Sequence, residues 1–142
     1  SSYFANLGES DEALKSYNKS AEIFEQLINK EPKNVTYLRN YETTLDQKVL
    51  LLNRQNNWRE AEATANKLLE INQRLIDLEP DNPTFKINRS RAFNSMGDAV
   101  NFAKGHLASN EWYRRSLESA EKLIVENPND EQARRNLVVP LQ

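Results

Sequence analysis

The chain has 142 residues, of which 38% are apolar and 28% charged, and this composition is typical of one soluble domain. Its 19 Lys plus Arg against 21 Asp plus Glu leave a formal net charge of −2, which argues against a protein that binds nucleic-acid phosphates. The absence of Cys excludes disulfides and zinc–thiolate sites, and no run approaches the roughly 18 to 20 apolar residues of a membrane span, so we predict no membrane insertion.

Helices are predicted throughout, because only three Gly and five Pro interrupt a sequence rich in good helix formers. The first predicted helix starts at Ser10, where Asp11 and Glu12 add negative charge at the N-terminus. Residues 1–7 are expected to end a preceding helix. The buried stripe of the helix that starts at Ser10 follows i, i+3, i+4 spacing. It consists of Ala13, Tyr17, Ala21, Phe24, Leu27 and Ile28.

Two further helices are predicted over 35–55 and 58–78, with a break at 54–57. Asn34 is placed to cap the first of them, and Asn57, followed three residues later by Glu60, has the spacing of a capping box. The buried stripe of the first is Leu38, Tyr41, Leu45, Val49 and Leu52, and that of the second is Ala61, Ala65, Leu68, Leu69, Leu75 and Ile76.

The next helix is predicted over 83–103, since Asn82 can cap it and Pro83 suits the first helical position. A break at 104–105 separates it from another helix, and Asp130 is expected to cap a further one. The buried stripes are Phe85, Phe93, Met96 and Val100, and then Tyr113, Leu117, Ala120, Leu123 and Ile124.

A 48-residue repeat relates these helices. Pro32, Pro80 and Pro128 are evenly spaced at this period, and four further columns are identical in all three copies without gaps. Those columns are Glu22, Glu70 and Glu118; Leu27-Ile28, Leu75-Ile76 and Leu123-Ile124; and Asn40, Asn88 and Asn136. Each period holds two helices joined by short connections, which predicts antiparallel pairs.

The run at residues 7–20 resembles the turn and second helix of a tetratricopeptide repeat. Its small and aromatic positions are Gly8, Ala13, Tyr17 and Ser20; residues 57–61 repeat the pattern, and Phe93, Met96 and Gly97 match the family's first helix. The usual repeat has roughly 34 residues, so the helices here are about two turns longer. This resemblance, to lengthened arrays found in bacterial multidomain proteins, implies an all-α, right-handed α-solenoid of antiparallel helix pairs over 1–142.

Three positions depart from the family pattern. Val49 replaces a glycine at which paired helices approach closely, and Gly105 lies one place after the column of Gly8. Asn72 interrupts a buried stripe.

The candidate site follows from the array, because first helices line the concave surface of such repeats. The faces opposite their buried stripes carry Asn40, Thr43, Gln47, Leu50 and Arg54 on one helix, and Asn88, Arg91, Asn94, Ser95, Asp98 and Phe102 on the next. Amide, hydroxyl and guanidinium groups beside two apolar residues suit a peptide or a partner helix. A solvated helix face explains any single residue equally well. The repeated Asn can bond a peptide backbone or, the reading we favour, the neighbouring repeat.

We therefore predict a protein-interaction scaffold that binds a protein or peptide, with no cofactor, metal, membrane or nucleic acid and no catalysis. The only histidine, His106, is predicted in a turn without Cys or a second His beside it. The repeated Glu22, Glu70 and Glu118 are expected about a repeat apart, too far for one substrate atom.

Two alternatives stay open. A regulatory or sensor repeat region of a larger bacterial signalling or effector protein fits a chain that begins and ends inside a repeat, as a fragment would. A helical-repeat RNA binder is suggested by the pairs Arg114-Arg115 and Arg134-Arg135, but acidic residues surround them. A cytoplasmic location is the default expectation.

Overall fold

A computed structural model describes residues 2–126, and the side chains of residues 9–101, 104–105 and 107–126. The described chain forms five helices: α1 (Ser2–Lys30), α2 (Val35–Arg54), α3 (Trp58–Leu78), α4 (Pro83–Lys104) and α5 (His106–Glu126). It contains no strand. The predicted all-α class is confirmed, and α2, α3 and α4 match the predicted helices to within a residue at each end. The predictions for Pro128, Asp130, Arg134, Arg135 and Asn136 lie outside the described residues.

α1 differs from the prediction, because it continues through Gly8 and Ser10 as one helix of 29 residues. The predicted helix start at Ser10 is therefore wrong. Gly inside a helix costs only about 1 kcal/mol relative to Ala, and Ser is a mild helix former, so neither residue breaks a helix as proline does. Glu12 lies on the exposed helix surface and pairs with Lys15 one turn later, at 3.6 Å.

The turns α1–α2 and α3–α4 show the sequence repeat in their hydrogen bonds. Asn34 and Asn82 each cap the following helix by accepting a bond from a backbone N–H, at 3.1 and 3.0 Å. Their own backbone N–H groups donate to the carbonyls of Glu31 and Glu79, both at 3.1 Å. Pro83 occupies the first turn of α4 as predicted. The same sequence signals thus produce the same turn twice.

The other two turns differ in length. Residues 55–57 join α2 to α3 with Asn56 at φ 60°, whereas Gly105, at φ 90°, alone joins α4 to α5. Asn56 is the equivalent of Gly8 one repeat later, and its φ is positive. α4 ends two residues later in the repeat than α2 does, and its positive-φ residue, Gly105, lies one position later in the repeat than Asn56. Asn57 does not form the predicted capping box, since its amide donates to the Glu60 carboxylate at 3.1 Å and its side chain caps no backbone N–H.

Consecutive helices pack against each other and bury the predicted stripes. All five stripe residues of α2 are buried, and in α3 Leu69 alone among the six is half-buried. The stripes of α1, α4 and α5 are buried or half-buried. Leu75 lies in the largest core cluster, which α1 to α4 share, and Leu123 lies in a smaller one with Ile87.

Hydrogen bonds between successive pairs also follow the repeat. The Tyr41 hydroxyl of α2 donates to Glu25 of α1 at 2.5 Å, and the Arg89 guanidinium of α4 donates to Gln73 of α3 at 2.8 Å. Burial and the bond to Glu25 raise the pKa of Tyr41. Tyr41 and Arg89 are equivalent residues of the repeat, so the same position connects successive helix pairs through a hydroxyl in one case and a guanidinium in the other.

α2 and α4 contact each other directly, although α3 lies between them in the chain. Arg39 of α2 stacks over the Phe85 ring, and further along both helices Asn53 donates to the backbone carbonyl of Ser95. Because the contacts advance along both helices together, α2 and α4 run parallel. In the described chain α1 does not contact α3, and α3 does not contact α5.

Candidate functional site

A polar pocket of about 160 Å³ opens where α2 and α4 meet over α3. α2 supplies Glu42, Thr43, Asp46 and Gln47. α4 supplies Asn88 and Arg91, and α3 supplies Leu68 and Asn72. The direct contact of two first helices therefore creates the pocket, and three separate elements build its walls.

Glu42 lines the pocket and keeps only 5% of its surface exposed. Asn88 of α4 donates to its Oε1 at 3.0 Å, and Asn72 of α3 donates to its Oε2. Burial raises the pKa of Glu42, while the two amide bonds act in the opposite direction. The carboxylate of Glu42 thus connects α2 with α3 and α4, and burial removes most of its surface from water.

Asn72 is fully buried, yet only one end of its amide is satisfied. Its Nδ2 is used by Glu42, whereas its Oδ1 has no hydrogen-bond partner. An unpaired buried acceptor costs roughly 1–3 kcal/mol, and this one belongs to a residue that lines the pocket.

Asp46 and Arg91 lie at the rim and form an ion pair across the two helices, at 3.4 Å. The Asp46 side chain keeps 24% of its surface exposed and the Arg91 side chain 53%. Burial raises the pKa of Asp46, and the Arg91 charge opposes this shift. A half-exposed pair of this kind is screened by water and contributes little to stability.

The five residues predicted on α2 are all exposed: Asn40, Thr43, Gln47, Leu50 and Arg54. Thr43 and Gln47 lie at the pocket together with Asn88 and Arg91 of α4. The others follow α2 in both directions from it. Asn88 bonds the neighbouring repeat, as we favoured for the repeated Asn, because its amide donates to Glu42 of α2 in the preceding pair.

The far end of the α4 row is more enclosed than predicted. Ser95 is 6% exposed, so the prediction that it faces solvent is wrong. α2 packs beside it, and Asn53 of α2 donates to its backbone carbonyl, whereas Gln47, its equivalent one repeat earlier, stays exposed where it lines the pocket. Asp98 is half-buried and accepts a bond from the Tyr113 hydroxyl at 2.7 Å, and Asn94 is half-buried too. The Phe102 side chain lies outside the described residues.

Sequence reasoning did not connect Glu42 with Asn72, although a signal for both was present. Glu42 lies between Tyr41 and Leu45 on a buried stripe, and Asn72 lies between Leu68 and Leu75 on the stripe of the next helix. Two polar residues that interrupt facing stripes are expected to meet, because each needs a partner once buried.

Within residues 2–126, no group of three or more described Asp or Glu side chains is arranged to hold a metal ion. No helix in that range is long and apolar enough to cross a membrane. No family model matches the chain, and neither a curated protein nor a solved structure matches it. The resemblance to tetratricopeptide repeats therefore rests on the sequence pattern.

Proposed function

We propose that the chain is a protein-interaction scaffold of lengthened tetratricopeptide-like repeats, which binds a peptide or a partner helix along α2 and α4. The observation that carries the proposal is the asymmetry of the packing: α2 contacts α4, while among the described residues α1, α3 and α5 do not contact one another. First helices that approach while second helices spread apart favour an array that curves around its first helices.

The exposed surface of α2 has the chemistry that a peptide needs. Asn40 and Gln47 offer amides that can donate to and accept from a peptide backbone, and Arg54 adds a guanidinium. Leu50 is 43% exposed between them and supplies an apolar contact. Such a mixture binds without any group placed for bond cleavage, so the proposal includes no turnover and no cofactor.

The basic pair on α5 gives little support to an RNA binder. Arg114 and Arg115 both form ion pairs with Glu111, each at 3.2 Å, and Arg115 also stacks on the Trp112 ring. Their charge is therefore partly compensated within the helix, which lowers the potential that would attract phosphate.

Selection from a random peptide library, followed by fluorescence anisotropy with the best peptide, tests the proposal. The triple change Asn40→Ala, Gln47→Ala and Arg54→Ala should weaken binding at least about tenfold, because arginine and polar anchors at the centre of an interface carry most of its energy. The matched control Gln26→Ala, Arg59→Ala and Asn66→Ala removes the same three kinds of side chain from exposed positions of α1 and α3. Equal affinity of both triple variants for the peptide would contradict binding along α2 and α4.

A further inference from the structure

The pocket at Glu42 is lined by two carboxylates, those of Glu42 and Asp46, and by the fully buried side chain of Asn72. The amides of Asn72 and Asn88 each donate one N–H to Glu42. Asn72 Oδ1 has no partner, and the carboxylates of Glu42 and Asp46 lie in the same wall. Arg91 is the one cationic residue of the lining, and it lies at Asp46.

We propose that this pocket binds one primary aliphatic ammonium group, supplied by a lysine side chain of the bound peptide. The source of the group rests on the proposed function, whereas the ammonium site rests on the pocket itself.

The chemistry of the ammonium group matches these walls. An ammonium group has three donors and no acceptor. Asn72 Oδ1 and the carboxylates of Glu42 and Asp46 provide three acceptors on two helices. Among the lining residues, two carboxylates against the single guanidinium of Arg91 leave one negative charge when both are ionised. Arg39, outside the lining, also acts on Glu42, and a monocation would add to its effect there. A carboxylate or phosphate ligand would instead face two like charges.

The size of the pocket fits a slender group. Its volume of about 160 Å³ is close to that of an engineered cavity, about 150 Å³, that accepts benzene. A four-carbon stem with an ammonium head fits in that space, and Leu68 supplies an apolar surface for the stem. The planar, five-donor guanidinium of a second arginine would meet Arg91 at the same rim.

Titration of the full chain with N-acetyl-lysine methylamide tests the ammonium site directly. The side-chain amide signals of Asn72 and Asn88 in a ¹H–¹⁵N spectrum should shift and saturate in the millimolar range. The Nε-acetylated probe and the norleucine analogue, which lack the charge, should leave both signals unchanged. A flat titration with the lysine probe would overturn the proposal and indicate a pocket that holds water alone.

Variants separate the pocket from general charge. Glu42→Gln should weaken the probe about tenfold, because a charge-assisted bond is replaced by a neutral one. Asp46→Asn lies at the half-exposed rim, where folding is less at risk, and should have a similar effect. Asp77→Asn makes the same change in charge at an exposed position of α3 and should bind the probe as the wild type does. Equal weakening by Asp46→Asn and Asp77→Asn would overturn the assignment.

A third comparison distinguishes a lysine of a bound peptide from a free amine as the source of the ammonium group. Butylammonium should bind at the same signals, and acetylation of lysine in a library-selected peptide should lower that peptide's affinity about tenfold. Saturable binding of both small probes without any peptide ligand would overturn the proposed function and leave the ammonium site standing. Peptide binding along α2 and α4 with flat small-probe titrations would overturn the ammonium site and leave the proposed function standing.

Discussion

Equivalent positions of the repeat build two different junctions, one open and one closed. Glu42 at the α2–α3 junction corresponds, one repeat later, to Ser90 at the α4–α5 junction, and Leu68 corresponds to Ser116. The Ser90 hydroxyl donates to the Ser116 carbonyl at 2.9 Å, and the Ser116 hydroxyl donates to the Ser90 carbonyl at 2.8 Å. Every bond of that pair is made inside the junction.

The open junction leaves its polar groups incomplete. Asn72, whose equivalent one repeat later is Ala120, keeps an unpaired Oδ1, and a pocket adjoins it. The comparison shows how to separate a structural polar residue from a candidate site: buried Ser90 and Ser116 satisfy each other, whereas buried Glu42 and Asn72 do not complete their set.

The largest expected effect concerns the apolar core, whose clusters differ in size between the two junctions. Leu75→Ala should cost roughly 2–5 kcal/mol of unfolding free energy, because its side chain is fully buried in the largest cluster. Leu123→Ala, its equivalent in the small cluster with Ile87, should cost less. Denaturant unfolding measures both. Glu79→Ala is the exposed control, and a loss equal to that of Leu75→Ala would contradict the assigned stripe.

Removing one hydrogen-bonding side chain from each junction should give a smaller loss. Asn72→Ala leaves the Glu42 carboxylate with one amide donor, and it also removes the unpaired Oδ1 of Asn72. Because a bond to a charged group is stronger than a neutral one, the lost bond should outweigh that relief and leave a net loss of roughly 1–3 kcal/mol. Ser116→Ala removes one neutral bond and should cost about 1 kcal/mol. Denaturant midpoints decide between them. A larger loss of stability in Ser116→Ala than in Asn72→Ala would contradict the expectation that the bonds to the buried Glu42 carboxylate contribute more.

The pH dependence of stability should distinguish the open junction as well. The pKa of Glu42 is raised above 4.5, mainly by burial, so the fold favours its protonated form. The stability from this group is present below pH 4.5 and is lost as the pH rises through the raised pKa. Relative to Glu42→Gln, the wild type should therefore lose about 1.4 kcal/mol for each pH unit by which this pKa is raised. Parallel pH profiles of the two proteins would contradict this.

The smallest expected effect is on binding to polyanions. Heparin or mixed-sequence RNA should show no retention at about 150 mM salt, because the chain carries a net charge of −2 and Glu111 compensates the basic pair on α5. Retention that falls steeply with salt would favour the RNA alternative.

Local signals predicted most of the helix bounds. Asn34, Asn82 and Pro83 act through bonds to their own neighbours, so their effect is visible in the sequence. Gly8 failed as a signal because one glycine costs a helix too little to end it.

The site was less predictable, because its contacts join separate helices. Ser95 is buried by α2, and Glu42 is completed by amides from α3 and α4. The period of the sequence indicated which residues are equivalent, but not which neighbour covers each of them.

The most direct test of the account compares the two junctions in binding. Isothermal titration of a library-selected, lysine-containing peptide should show a dissociation constant about tenfold higher for Asp46→Asn than for the wild type, and an unchanged one for Ser116→Ala, because the closed junction has no group left for a ligand. Equal affinities of the two variants, or weaker binding by Ser116→Ala, would contradict the assignment of the site to the open junction.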